Sequence, residues 1–213
     1  MNNKKPFPCS TSTAALLAVL LLPYTALTQS APDTGWSNYG NDPGGTRYSS
    51  ARQIDRANVA QLRLAWTYRT GALQQQTDLV HKAAFEATPI LIENKLFLST
   101  PYNHVLALDP QTGSKLWEYD AKVDLTKNRS EVTSRGVSAW QESNAQPGHP
   151  CRLRIFLGTL DGRLISLDGD TGKPCRDFGT NGEVDLTLGV NLAKEWQGGQ
   201  HRLSIGVLVR HHG

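Results

Sequence analysis

The stretch that decides the fold reads FLSTPYNHVLALDPQTG from Phe97 to Gly113, and it recurs as FLGTLDGRLISLDGDTG from Phe156 to Gly172. The two copies align without a gap at a uniform shift of 59 residues. Each copy contains short apolar runs separated by turns that are rich in Gly, Asp and Thr. A repeat of this kind is typical of stacked β units, each of which buries an apolar face against the next. The repeat therefore predicts an all-β fold.

Outside the repeat, the first unit runs from about Phe85 to Asp120 and the second from about Arg135 to Asp185. Four antiparallel strands per unit, repeated along the chain, are typical of the blades of a β-propeller. An alternating run ahead of the first unit, Leu62–Tyr68, predicts a further half-buried strand. It carries Trp66, which matches Trp117 in the pattern Trp-x-Tyr. In the first unit the predicted strands are Thr88–Ile92, Lys95–Thr100, Val105–Asp109 and Lys115–Tyr119.

The turn after the third strand of each unit follows a pattern with a physical explanation. Asp109 and Thr112 provide side chains that hydrogen-bond to the turn backbone, and Gly113 tolerates a positive φ. Trp117 follows, and we expect its ring to dock onto the neighbouring unit. The second copy keeps the Asp, the Thr and the Gly but has Arg176 where the tryptophan would fall.

The N-terminus has the pattern of a targeting segment. The chain has 213 residues and a net charge of +3, which falls to +1 without Lys4 and Lys5, so no nucleic-acid partner is expected. These lysines precede an apolar stretch, residues 14–22, that is too short to span a bilayer. Small residues follow, so residues 1–28 predict a signal peptide and export to a periplasm. An uncleaved anchor helix is the alternative, which leaves membrane association open.

Two cysteines, Cys151 and Cys175, remain after the predicted signal peptide. An oxidising compartment permits a disulfide between them. The segments Arg152–Gly158 and Arg163–Asp168 predict a hairpin around an Asp-Gly turn, and this pairing brings the flanks of the two strands together. We therefore predict a Cys151–Cys175 disulfide, which stabilises the fold by about 3 kcal/mol. Two free, half-buried thiols are the alternative.

Several separated motifs occur in order along the chain. The eleven residues from Ala107 to Trp117 resemble the tryptophan-docking motif of the quinoprotein propellers. Short motifs between Trp36 and Trp66 are similar to the N-terminal signature of dehydrogenases dependent on pyrroloquinoline quinone (PQQ). The motifs Phe85–Pro89 and Val132–Ser138 look most like the membrane-bound glucose dehydrogenase branch of that family. The resemblance covers residues from about 36 to 189.

The resemblance implies an eight-bladed β-propeller with PQQ on its central axis. This chain would hold only the first two to three blades, because eight units of this size need far more than 213 residues. We expect a signal peptide at residues 1–28, a partial propeller at 29–190 and an atypical tail at 191–213. The catalytic Asp and the Ca²⁺ ligands of the family lie in later blades. We therefore expect no catalytic residue and no metal ligand in this chain.

Three residues are implied as contacts of the quinone. In the family, the acid at the position of Glu86 contacts the polar rim of PQQ; the alternative is an ordinary strand-end glutamate in solvent. Arg135 precedes Gly136, and a planar guanidinium can bind a quinone carboxylate through two hydrogen bonds; the alternative is a surface arginine. Thr159 lies where family members direct a hydroxyl toward the cofactor, but its repeat partner Thr100 supports a structural role equally well.

One departure from the family pattern bears on the substrate. Alcohol-oxidising branches have two adjacent cysteines ahead of the arginine, where this chain has Arg129 and Ser130. This favours an exported enzyme that oxidises a sugar or polyol, such as glucose, and passes electrons to ubiquinone or a cytochrome. We expect the chain alone to be inactive. The alternative is a non-catalytic periplasmic propeller that serves as a scaffold, which needs neither Glu86 nor Arg135.

Overall fold

The computed structural model describes residues 35–75, 79–126 and 131–188. Helical structure in this part is limited to one turn at Ala72–Gln75 and to 3-10 turns at Val59–Gln61 and Val80–Lys82. The prediction of an all-β fold is therefore confirmed. The strands are β1 Ala83–Phe85, β2 Ile90–Ile92, β3 Lys95–Ser99, β4 His104–Leu108, β5 Lys115–Asp120, β6 Val132–Ser134, β7 Ser138–Gln141, β8 Leu153–Gly158, β9 Arg163–Asp168 and β10 Glu183–Asp185.

The strands form two four-stranded antiparallel sheets, as the repeat predicts. The first sheet has the order β2-β3-β4-β5, and the second has the order β7-β8-β9-β10. Their registers are equivalent, because Phe97 pairs with Ala107 and Phe156 pairs with Ser166. Residues that are 59 positions apart in the sequence thus occupy the same place in the two sheets.

The two sheets share one hydrophobic core. Phe97 and Val105 of the first sheet pack with Ile155 and Leu157 of the second, and all four side chains are buried. The opposite face of the first sheet is lined by Leu98, Leu106 and Leu108, which form a separate cluster. Because both of its faces bury apolar side chains, the first sheet is an inner layer of the described structure.

Tryptophan docking joins successive layers. The Trp117 ring lies so close to Gly172 that a Cβ on that glycine would be 2.6 Å from it. Its Nε1 donates a hydrogen bond to the carbonyl oxygen of Gly169 at 3.1 Å. Trp66 makes the same pair of contacts with the turn of the first sheet, and its Nε1 donates to the oxygen of Pro110 at 3.0 Å. The expectation that Trp117 docks onto the next unit is confirmed.

The prediction of a strand at Leu62–Tyr68 is wrong. The structure assigns no strand to these residues, although their alternation is real. Trp66 and Tyr68 pack on the Leu98 cluster, whereas Leu64 on the same side of the run is 84% exposed. The alternation of apolar and polar side chains indicates only that one row of side chains contacts a sheet face. A strand also requires a backbone partner at its edge, and none lies alongside this run in the described residues.

Two features of the fold have no counterpart in the sequence prediction. Strands β1 and β6 pair in parallel, with Ala83 opposite Val132 and Phe85 opposite Ser134. Each of the two strands immediately precedes the first strand of a four-stranded sheet. The second feature is the long connection between β7 and β8, residues 142–152, where the first sheet has a two-residue turn. A strand ahead of the sheet is thus common to both units, whereas the long connection occurs in the second unit.

A disulfide connects that long connection to the segment that follows β9. Cys151 and Cys175 are bonded, with their Cα atoms 5.8 Å apart and a sequence separation of 24. Cys175 is fully buried. The predicted signal peptide at residues 1–28 and the predicted tail at 191–213 lie outside the described residues. Within the described ranges, no helix has the length and hydropathy needed to cross a bilayer.

Candidate functional site

The parallel pair of β1 and β6 brings two predicted site residues together. Glu86 directly follows β1 and Arg135 directly follows β6, so the register that opposes Phe85 to Ser134 places them side by side. The Nη2 atom of Arg135 lies 3.1 Å from Oε2 of Glu86. The arginine side chain is 53% exposed and the glutamate side chain 38% exposed. The ion pair is therefore formed and accessible to a ligand.

A steric constraint explains why a glycine follows Arg135. Gly136 has φ +123°, and a Cβ built there would lie 3.1 Å from the carbonyl oxygen of Thr88. Glycine is the residue that adopts such a φ without strain. The backbone after Arg135 consequently runs directly against the backbone after Glu86. This close approach holds the two charged residues at adjacent positions on one surface.

Buried hydroxyl groups fasten β6 behind the ion pair. The Oγ atoms of Ser99, at the end of β3, and of Ser134, at the end of β6, are 2.6 Å apart, and both residues are buried. Thr133 donates a hydrogen bond from Oγ1 to the carbonyl oxygen of Ala84 at 3.0 Å. Arg135 is thus attached to a strand that is bonded both to β1 and to the first sheet.

Thr159 is buried and is engaged within its own turn. Its Oγ1 accepts a hydrogen bond from the backbone N–H of Arg163 at 2.9 Å and donates to a carboxylate oxygen of Asp161. Thr100 accepts the equivalent bond from the N–H of His104 at 3.2 Å. The Thr159 hydroxyl forms no hydrogen bond with Glu86 or with Arg135. These bonds give Thr159 a structural role in its turn, and its contact with the cofactor stays a prediction.

The turn that contains Thr159 is also an electrostatic junction. Burial raises the pKa of Asp161, but hydrogen bonds from Arg163 and Thr159 outweigh it and hold that pKa below its usual value. Arg163 also contacts Glu183 at 2.9 Å and donates to the carbonyl oxygen of Ala121 at 2.7 Å. The second sheet is thereby tied to the segment that leaves β5.

One group of potential metal-ligating atoms occurs among the described residues. Atoms of Cys151, Cys175 and Asp177 lie within 4.8 Å of one another. Both sulfurs belong to the disulfide, and the carboxylate of Asp177 contacts Arg154 at 2.5 Å. Ca²⁺ takes six to eight oxygen ligands, which this group does not offer. We therefore place no Ca²⁺ site here.

The fold agrees with the comparisons with known proteins. Residues 36–211 match the family model "PQQ: Glucose/ethanol/alcohol dehydrogenase, beta-propeller domain". This chain belongs to the PQQ-dependent dehydrogenase family. The match also extends into the segment after residue 190 that the sequence predicts to be an atypical tail.

Relatives within this family cover most of the chain. It is 34% identical over 188 residues to quinoprotein glucose dehydrogenase A of Acinetobacter calcoaceticus, a span of 83% of this chain and 23% of the relative. It is 36% identical over 184 residues to the quinate/shikimate dehydrogenase (quinone) of Acinetobacter baylyi, covering 79% and 22%. The chain thus spans under a quarter of the length of these relatives.

A solved structure shows the same blade architecture. The quinohemoprotein alcohol dehydrogenase from Comamonas testosteroni superposes with a TM-score of 0.57 and 31% sequence identity, covering 76% of this chain and 21% of that protein. The prediction of a quinoprotein-type β-propeller, present here in part, is confirmed.

The paired Ser99 and Ser134 were not singled out from the sequence, because a serine at a strand end carries no signal of its distant partner.

Proposed function

We propose that this chain forms one wall of the PQQ site of an exported dehydrogenase that oxidises a sugar or polyol, with glucose as the model substrate. The observation that carries the proposal is the exposed ion pair between Arg135 and Glu86 at the ends of the parallel strands. Membership in the PQQ-dependent family supports the cofactor, and a relative named for glucose supports the substrate class.

The residues present fit a ligand that carries carboxylates. A guanidinium has five N–H donors, and among the described residues Arg135 contacts a single carboxylate, that of Glu86. Its remaining donors are free to bind a carboxylate of PQQ in a bidentate arrangement. Glu86 then has two roles in our proposal: it orients the guanidinium, and its second oxygen accepts hydrogen bonds from the polar rim of the quinone.

The contribution of this chain is binding and orientation. When bound, the quinone accepts the two electrons and the hydrogen that the substrate alcohol loses as it becomes a carbonyl compound. Glu86 and Arg135 hold and orient the cofactor. The general base and the Ca²⁺ ligands are expected in blades outside this chain, and ubiquinone or a cytochrome is expected as the electron acceptor. We leave Thr159 out of the proposed wall, because its hydroxyl donates to Asp161 and accepts from the N–H of Arg163 within the turn.

Direct titration of the purified chain with PQQ tests the proposal. We expect Arg135→Ala to weaken binding at least about tenfold, since a charge-assisted hydrogen bond contributes about 1.5–3 kcal/mol. Arg135→Lys should recover part of the lost affinity, because lysine keeps the positive charge but lacks the planar pair of N–H donors of arginine. Arg176→Ala, at another exposed arginine, is the matched control and should bind as the unmodified chain does. Equal affinities for all four proteins would contradict the assigned wall and favour a scaffold.

Turnover provides a separate test of the predicted inactivity. We expect the chain loaded with PQQ and Ca²⁺ to reduce no dye with glucose, because the general base and the Ca²⁺ ligands are expected in blades outside this chain. A reference enzyme such as the Acinetobacter calcoaceticus relative should be active in the same assay. Robust dye reduction by this chain would show that our assignment of the remaining chemistry to other blades is wrong.

Export is part of the proposal. The Cys151–Cys175 disulfide supports it, because such bonds persist in oxidising compartments and are rare in the cytosol. We expect expression in a Gram-negative host to give a periplasmic protein whose mass lacks about 28 N-terminal residues. A full-length mass in the membrane fraction would favour the anchor-helix alternative instead.

A further inference from the structure

We propose that the buried hydroxyl pair of Ser99 and Ser134 is a positioning device that sets the orientation of Arg135 toward the cofactor. The inference rests on the proposed function, because it concerns the same surface. The two Oγ atoms are 2.6 Å apart, and the residues are 0% and 6% exposed. A hydrogen bond of this length between two buried hydroxyls satisfies both groups in a place that water does not reach.

Neither hydroxyl of the pair recurs at the equivalent position of the repeat. Ser99 corresponds in the second unit to Gly158, which has no side chain to donate or accept. Ser134, the last residue of β6, corresponds to Phe85, the last residue of β1 and its partner in the register. Gly158 and Phe85 belong to two different junctions between units, so each comparison shows that one hydroxyl of the pair is not repeated. In the described residues, the hydroxyl pair occurs at the junction where β6 is followed by the arginine of the ion pair.

The connectivity of the pair explains how it acts through Arg135. Ser99 ends β3, which lies inside the first sheet between β2 and β4, so it is a fixed point of the core. Ser134 is bonded to that point, and Gly136 on the other side of Arg135 is pressed against the Thr88 backbone. The arginine backbone is thus held on both sides, which limits the directions in which its half-exposed guanidinium can point.

The expected consequence is a pre-organised donor. A side chain that is already oriented loses less conformational freedom when it binds a ligand. Removal of one hydroxyl leaves its partner buried and unpaired, so β6 will shift to relieve that group. The shift is transmitted to the adjacent residue. Ser99 and Ser134 touch no cofactor in this scheme and are positioning residues.

A double-mutant cycle with PQQ binding as the readout tests this inference. We expect Ser99→Ala to weaken PQQ binding several-fold, because a guanidinium that is no longer oriented must be ordered when the ligand binds. In the Arg135→Ala background, the same substitution should change the affinity less than twofold. Ser99→Thr, which keeps a hydroxyl, should restore binding in part. An undiminished effect of Ser99→Ala without the arginine would overturn the proposal, and so would no effect in the unmodified background.

A buried serine elsewhere provides the matched control. Ser166 is fully buried in the second sheet, and its Oγ has no hydrogen-bond partner. We expect Ser166→Ala to leave the PQQ affinity unchanged. Urea unfolding of each variant verifies that the proteins compared are folded. A fall in affinity for Ser166→Ala equal to that for Ser99→Ala would attribute the effect to general loosening and contradict a positioning role.

A second readout keeps the inference separate from the proposed function. Phenylglyoxal modifies exposed arginines, and mass spectrometry of the peptide that contains Arg135 gives its modification rate without any cofactor. We expect Glu86→Gln and Ser99→Ala each to raise that rate several-fold, and Ser166→Ala to leave it unchanged. If the unmodified chain fails to bind PQQ, the proposed function fails, and this rate alone decides the inference. An unchanged rate in Ser99→Ala would then overturn it.

Discussion

Two ion pairs connect the two sheets, and the arginine of one pair is almost buried. The guanidinium of Arg152 contacts the carboxylate of Glu93 at 2.5 Å, and the arginine side chain is 8% exposed. Lys95 and Asp170 form a second connection at 2.9 Å, more exposed to solvent. A buried arginine without its carboxylate is strongly destabilising. The Glu93 pair should therefore matter more to folding than the surface pair.

The Glu93 pair predicts a specific pH dependence. The hydrogen bond from Arg152 lowers the pKa of Glu93 below its usual value of 4.5, more than burial raises it. A carboxyl group with a lower pKa in the folded state contributes stability above its unfolded pKa. That contribution is lost as the pH falls from about 4.5 through the folded value. We expect Glu93→Gln to reduce the acid-side slope of the unfolding free energy, measured by urea titration at a series of pH values.

The control for this prediction is Glu142→Gln, which changes an exposed glutamate. Its free energy of unfolding at neutral pH should stay within about 0.5 kcal/mol of that of the unmodified chain. A slope that is identical in Glu93→Gln and in the unmodified chain would show that the pair contributes no linkage.

Glycine at the docking turn allows a second residue-scale prediction. Gly172 has φ +70°, and a Cβ there would lie 2.6 Å from the Trp117 ring. Gly45 has φ +68° with nothing within 4 Å of its Cβ position. Both alanine variants incur the left-handed strain of about 1–2 kcal/mol, and only Gly172→Ala adds a clash. Urea unfolding should rank Gly172→Ala as clearly less stable than Gly45→Ala, and equal losses would contradict the close packing.

At the scale of elements, the turn and the tryptophan form a module that recurs in successive layers. Trp66 packs on the turn after β4, and Trp117 packs on the turn after β9. The two sets of contacts are equivalent. The run that contains Trp66 therefore packs on the turn of the first sheet in the same way as β5 packs on the turn of the second. Arg176 occupies the next position in the series and is exposed. The series of docked rings therefore ends at the second sheet within the described residues.

Loss of the docked ring should separate the two sheets. Trp117 is in the shared core and 9% exposed. We expect Trp117→Ala to lower the unfolding free energy by about 3–5 kcal/mol, the usual cost for a large aromatic. Trp117→Phe should cost less, because it keeps an aromatic ring and loses the hydrogen bond to Gly169. Trp140→Ala, at a half-buried tryptophan on β7, is the control and should be milder in chemical denaturation.

At the scale of the whole described structure, the segment that follows Cys175 covers part of the outer face of the second sheet. Phe178, in the segment after Cys175, packs edge-on against Phe156 with ring centroids 5.4 Å apart. Arg154, from the same strand as Phe156, contacts Asp177 at 2.5 Å. The disulfide fixes the start of this covering segment. The sheet is thus shielded on the side opposite to the shared core.

Reduction of the disulfide should release this covering segment. The bond closes a separation of 24 residues, for which the chain-entropy model gives about 3 kcal/mol of stabilisation. We expect reductant to lower the midpoint of urea unfolding and to increase the binding of a hydrophobic dye. The variant with Cys151→Ser and Cys175→Ser should resemble the reduced protein and be insensitive to reductant. An unchanged midpoint after complete reduction would show that the bond is not needed for this packing.

The sequence by itself determined the blade units, their strands and the docking of Trp117. These depend on local signals, because apolar alternation and Asp-Thr-Gly turns act over a few residues and the 59-residue repeat doubles the evidence. The pairing of Glu86 with Arg135 was not derivable in the same way. Family resemblance named both residues, but no spacing rule places them 3.1 Å apart.

Only the tertiary structure decided which distant segments meet. The parallel pairing of β1 with β6 and the Ser99–Ser134 bond join residues far apart in the sequence, and short strands of three residues carry almost no pattern. The error at Leu62–Tyr68 has the same origin. Side-chain alternation is a local property of one segment, whereas strand formation needs hydrogen bonds from a second segment, and only the folded chain brings that partner to it or leaves it without one.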